Sequence, residues 1–222
     1  MLKAPPVKLT AAQELVFRSV LDARNPDLLP ADLPRWIFLH WLAARGWLLH
    51  GSPVGGLSEL KPLAATHLSP DDFSNLPGVY ATSDGLWPLM YALRGPGMAN
   101  KSDMALQLRL PDGSWSETRY FLSLAARESG VTDARSLLAP GFVYVLAREG
   151  FEQSPAHEHP GLGYVQETHW ASLEPVRPLL IVPVTPDDFP LPVRLHDAQD
   201  VRARSEADPW GFPWLPASEQ RP

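Results

Sequence analysis

The sequence predicts an α+β protein in which helices come first and strands follow. Three observations carry that prediction. Two helical stretches precede residue 47. From Trp47 onward the apolar residues fall in short runs that fit strands, with only brief helical interruptions. Between two of these runs lies Pro111-Asp112-Gly113, a strong hairpin signal because Asp-Gly tolerates the positive φ of tight antiparallel turns. Helices followed by a block of strands, without regular alternation, argue for a largely antiparallel or mixed sheet and against a doubly wound parallel one.

The elements follow in order. Residues 11–23 place Leu15, Val16, Val20 and Leu21 on one face of an amphipathic helix. A second helix is expected from Asp32 as N-cap, with Pro34 in its first turn, to Gly46, which stops it. Its Trp36, Ile37, His40, Trp41 and Ala44 share one side. Strands are expected at 47–50 and 78–81, with loop chemistry at 69–75 between them and a short helix at 85–93 behind them. The hairpin joins 104–110 to 114–124, and 142–147, 164–172 and 179–184 supply three further strands. There is no internal repeat.

These elements divide the chain into an N-terminal helical segment (1–46), a core (47–190) and a tail (191–222). The tail holds Pro209-Trp210-Gly211-Phe212-Pro213-Trp214-Leu215-Pro216. Proline lacks an N–H and fixes φ, so this stretch is neither a regular helix nor a central strand. Its aromatics are expected to pack on the core, since large exposed apolar patches are uncommon.

Composition narrows the chemistry. With 222 residues, 45% of them hydrophobic, the chain has ample material for a core. The absence of cysteine excludes disulfides, thiolate catalysis and Cys-based zinc sites. A net charge of −6, with few lysines and scattered arginines, disfavours nucleic-acid binding. No stretch approaches the ~20 apolar residues of a membrane span. The N-terminus lacks signal-peptide features, so a cytoplasmic location is expected.

The chemistry-bearing residues are two short motifs in a fixed order. His50-Gly51-Ser52 closes the apolar run Trp47-Leu48-Leu49, and Val79-Tyr80-Ala81 follows thirty residues later, with Tyr91 eleven residues beyond Tyr80. A histidine at a strand end offers a donor and an acceptor on a rigid support. The glycine beside it permits close approach to the main chain. Paired tyrosines can stack a flat ring. This arrangement resembles the nicotinamide pocket of the ADP-ribosyltransferase superfamily, in its His-Tyr-Glu form typified by diphtheria toxin and the poly(ADP-ribose) polymerases. The resemblance implies a split mixed or antiparallel sheet and NAD as a substrate cleaved at its nicotinamide–ribose bond. ADP-ribose would pass to an acceptor that the sequence does not identify. His50 would bind ribose hydroxyls, the backbone of Gly51 and Ser52 the carboxamide, and Tyr80 and Tyr91 the ring. The catalytic glutamate would be Glu167, in Tyr164-Val165-Gln166-Glu167-Thr168-His169-Trp170, because a carboxylate offsets developing positive charge. His169, two residues on and so on the same face of one strand, is the competing register.

His50 and Tyr80 are expected to line one pocket, and side chains on opposite faces of the sheet would remove a transferase reading built on the two of them. The alternative is an interaction module with this fold and no turnover. His157-Glu158-His159 lacks a third ligand, so no metal is expected. Asp187-Asp188 reads as a solvated turn.

Overall fold

The computed structural model describes residues 1–64 and 70–214. It shows a mixed α+β architecture with two sheets whose pairings are antiparallel apart from one short parallel edge strand. The first sheet runs β1 (Leu2–Lys3), β5 (Arg119–Ala126), β4 (Met98–Leu108), β9 (Gly163–Glu167), β8 (His157–His159), with β12 (Arg194–Leu195) parallel to β5. The second runs β11 (Leu180–Val184), β6 (Gly141–Leu146), β2 (Leu48–Ser52), β3 (Val79–Thr82), β10 (His169–Ser172), β7 (Glu152–Gln153). No helix among the described residues is long and apolar enough to cross a membrane.

The helix α1 (Ala11–Ala23) begins at a capping box in which Gln13 N–H donates to Thr10 Oγ1 (3.2 Å) and Thr10 N–H donates to Gln13 Oε1 (2.9 Å). Phe17 and Val20 are its buried residues, with Val16 and Leu21 against the core, whereas Leu15 is 65% exposed and leaves the expected face. The next helix, α2 (Arg35–Ala43), starts later than expected because Asp32 is not its cap. Instead the Arg35 N–H donates to Asp188 Oδ1 at 2.6 Å, and the Thr185 N–H donates to Oδ2 of the same carboxylate at 2.8 Å. A carboxylate suits that position, since the first turn of a helix carries unpaired N–H groups and a partial positive charge. Asp188 is 8% exposed, whereas Asp187 is exposed, so of the solvated turn expected there only Asp187 faces water and Asp188 is a buried tether between α2 and the end of β11. Burial of Trp36, Phe38, Leu39, Trp41 and Leu42 leaves α2 with no single wet face. Phe17, Phe38 and Trp41 are in ring contact at 5.1–5.9 Å.

The hairpin forms as expected: β4 and β5 pair in register from Asn100↔Ala125 to Leu106↔Arg119, and Gly113 in the turn has φ +85°. The helix expected over 85–93 shortens to one turn, α3 (Leu89–Ala92). It lies directly on strand backbone. A Cβ at Gly51 would fall 1.8 Å from the Pro88 carbonyl oxygen, and one at Gly141 would fall 1.8 Å from that of Ala92. The single strand expected over 164–172 is two strands, β9 and β10, in different sheets. Thr168 is the crossover: its N–H donates to the Ala105 carbonyl (3.4 Å), its carbonyl accepts from Ser83 N–H (3.0 Å), and its hydroxyl meets that of Thr82 (3.0 Å).

In the tail, α4 (Ala198–Ala207) is an element the sequence reading did not anticipate; Asp197 caps it by accepting from Gln199 and Asp200 N–H at 2.8 and 3.0 Å. Beyond it Trp210 meets His157 and His159, and Phe212 meets Phe121 and Trp214. Leu215 and Pro216 lie outside the described residues, as do His67 and Ser69.

Candidate functional site

The strands that carry His50 and Tyr80 are neighbours that pair at one position only, Leu49↔Thr82. By contrast, β2 pairs with β6 along its whole length, and β3 pairs with β10 along its whole length. The second sheet is therefore split beyond Leu49, between the His50–Ser52 and Val79–Tyr80 edges. The His50 imidazole spans the split, with Nδ1 2.6 Å from the Tyr80 carbonyl oxygen. A carbonyl only accepts, so Nδ1 carries the proton and Nε2 is left as an acceptor. Burial holds the His50 pKa below its ordinary value, opposed by that hydrogen bond, which keeps the ring neutral at pH 7.

Strand alternation sends the two side chains different ways. Tyr80 shares a face with Thr82 and Leu49, whereas His50 shares the other face with Leu48 and contacts the Tyr144 ring at 6.1 Å. The expectation that both side chains project from one face of the sheet is thus corrected. What joins them is the Tyr80 main chain, because the motif residues are out of phase across an antiparallel pair. Gly51 departs from expectation as well. The space its missing side chain leaves is filled by the α3 backbone and is not open to a ligand. Ser52 ends β2, and its Oγ accepts from Val54 N–H at 3.1 Å.

On its own face Tyr80 belongs to a chain of rings. His169 lies 4.8 Å from it with planes 31° apart, Trp87 lies 5.2 Å from His169, and Phe73 closes on both Tyr80 and His169. The Tyr80 hydroxyl sits 2.7 Å from the Leu76 carbonyl and 2.9 Å from that of Phe73. Tyr91 is 43% exposed and does not face Tyr80 in a sandwich; Trp87 and His169 lie between them. Over its ring stands the Lys101 ammonium, 3.2 Å from the centroid.

The charged groups complete the site from the first sheet. Lys101 and Asp103, two apart on β4, form a largely buried ion pair, and Asp103 Oδ2 accepts the Trp87 indole N–H at 2.7 Å. Burial pulls the Lys101 ammonium below its usual pKa while the Asp103 carboxylate opposes the shift. Although Tyr91 as a whole residue is 43% exposed, its phenol end is packed in, and that burial, then the Asp103 and Glu167 carboxylates, holds the phenol well above its ordinary value. Glu167 ends β9, its Oε2 3.6 Å from His169 Nδ1, which makes no hydrogen bond among the described residues. The register question resolves into two positions. His169 touches the aromatic face, and Glu167 stands behind it across the Thr168 crossover.

Trp87, Lys101, Asp103 and Phe73 were not singled out by sequence. Opposite charges two apart in an apolar strand were the available signal for the ion pair. His157-Glu158-His159 forms β8 with both imidazoles against Trp210, and among the described residues no group of three or more His, Cys, Asp or Glu side chains is placed to hold a metal ion. Surface clefts of 350 and 470 Å³, lined by residues including Arg127 with Leu137 and Arg24 with Ile181, touch none of these rings.

No protein-family model matches this chain, and neither does any curated protein or solved structure compared with it.

Proposed function

We propose that the protein binds the nicotinamide end of NAD against the Tyr80, Trp87 and His169 rings and cleaves the nicotinamide–ribose bond, as an ADP-ribosyltransferase-like enzyme. One observation carries this reading: aromatic faces and a carboxylate, Glu167, converge at the Thr168 crossover beside the split edge of β2 and β3. The nicotinamide ring of NAD is a planar cation, which aromatic faces attract by stacking and by their quadrupole. The opposite-face placement of His50 and Tyr80 removes a pocket built from both side chains, so the reading stands on Tyr80, Trp87, His169 and Glu167 without the His50 side chain.

In the cleavage step the C1′–N bond breaks with its electron pair going to the ring nitrogen, and neutral nicotinamide leaves. Glu167 stabilises the oxocarbenium-like ribose that remains. A nucleophile then bonds to C1′ and gives up its proton to solvent water. The acceptor is a protein side chain, a nucleic-acid end, a small molecule or water.

A second reading, an interaction module without turnover, is favoured by the His169 imidazole already lying on the Tyr80 ring. Tyr80 variants test the pocket of the first reading. Removing the ring in Tyr80→Ala costs the stacking contribution, ~0.5–1.5 kcal/mol, so NAD affinity falls by about 2- to 13-fold in a calorimetric titration. Tyr80→Phe keeps the ring and releases the Leu76 and Phe73 carbonyls, lowering the melting temperature with little change in affinity. Unchanged affinity in both variants would remove Tyr80 from the pocket.

A further inference from the structure

The aromatic wall is held from behind by one ion pair. Asp103 bonds in two directions, one oxygen to the Lys101 ammonium and the other to the Trp87 indole N–H, while the same ammonium lies over the Tyr91 ring. Trp87 in turn is the ring that backs His169. A side chain with two partners in fixed directions, in a largely buried setting, has few alternative rotamers, and its partners share that restriction. Main-chain bonds fix the start of the same segment: Asp84 Oδ1 accepts from the N–H groups of Leu86 and Trp87, both at 2.8 Å, and its other oxygen accepts the Tyr120 hydroxyl. These set the Trp87 backbone. They leave the tilt of its indole to the packing around it and to the one directional bond it makes, that to Asp103.

We propose that Asp103 is a positioning residue that sets the Trp87 indole plane for a planar aromatic cation, with Lys101 holding the Asp103 carboxylate in place. This inference rests on the reading of the site as a nicotinamide pocket. Asp103 acts through Trp87, so its removal disturbs ground-state binding more than the bond-breaking step.

Two substitutions separate hydrogen bonding from charge. Asp103→Asn and Asp103→Leu delete the same charge, but only asparagine retains an oxygen that accepts the indole N–H. The full chain is titrated with N-methylnicotinamide methylated on its ring nitrogen, a planar cation without ribose or phosphate, and kinetics of nicotinamide release from NAD are measured in parallel. Asp103→Leu is expected to weaken N-methylnicotinamide binding about 10-fold and to raise KM with kcat within about 3-fold, while Asp103→Asn, which loses the charge but keeps the indole acceptor, weakens it by no more than about 3-fold. A mere loss of folded protein would lower kcat and leave KM alone. Should Asp103→Leu fail to fold, Trp87→Phe removes the same bond from the other side and is expected to weaken binding to a similar extent. Equal losses in Asp103→Asn and Asp103→Leu, or none in Asp103→Leu or Trp87→Phe, would overturn the positioning role while leaving the pocket standing. Wild-type protein that binds neither N-methylnicotinamide nor NAD would overturn the pocket itself and the positioning role with it.

Discussion

Glu167→Gln is expected to slow nicotinamide release by on the order of 10²–10³ while NAD still binds. The substitution keeps the shape of the side chain and most of its hydrogen bonding but deletes the charge. A charge that stabilises an oxocarbenium contributes mainly in the transition state, so its loss lowers kcat and spares ground-state affinity. The structure sharpens the control. His169 Nδ1 is 3.6 Å from Glu167 Oε2 and its ring lies on Tyr80, so His169→Gln disturbs the aromatic face and should weaken binding first. Single-turnover and titration measurements on both variants separate these effects. Normal turnover in Glu167→Gln with loss in His169→Gln would transfer the catalytic role to His169.

Gly51→Ala is expected to destabilise the fold by about 3 kcal/mol or more, at the upper end of overpacking substitutions. The added methyl would fall 1.8 Å from the Pro88 carbonyl oxygen and 2.8 Å from the Ala92 nitrogen. Both are backbone atoms, so no side chain can swing aside and α3 must move bodily. Because α3 carries Tyr91 and directly follows Trp87, the same shift disturbs the aromatic wall. For a chain of this size each kcal/mol lowers the melting point by ~2–4 °C, which a calorimetric scan resolves. A melting point within a degree of wild type would mean that α3 is not seated on β2 as described.

The elements that local pattern controls were legible in the sequence. The α1 helix, the hairpin about Asp112-Gly113 and the strands near 48, 79, 142 and 180 follow from periodicity and turn chemistry, which act over a few residues. What escaped was set by distant partners. The start of α2 depends on Asp188, 153 residues away, so Asp32 was a reasonable but mistaken cap. The run from Tyr164 to Ser172 has continuous strand character, and only the packing of two sheets reveals that Thr168 passes it from one to the other. At the candidate site, His50, Tyr80 and Glu167 were visible as motif residues, but the phase between β2 and β3 was not. That phase puts His50 on the far face. Trp87, Lys101 and Asp103 were hidden because their importance lies in contacts with one another.

The central claim is that the nicotinamide ring of NAD lies against the Tyr80, Trp87 and His169 rings, and the proton resonances of that ring test it most directly. Aromatic neighbours shift the resonances of a ring stacked on them. Titrating NAD with the protein should shift and broaden the nicotinamide protons, with the effect reduced in Tyr80→Ala and free nicotinamide accumulating over time in the wild type. Nicotinamide resonances that stay unperturbed at protein concentrations where the adenine protons shift, or an NAD spectrum that does not change at all, would contradict the claim.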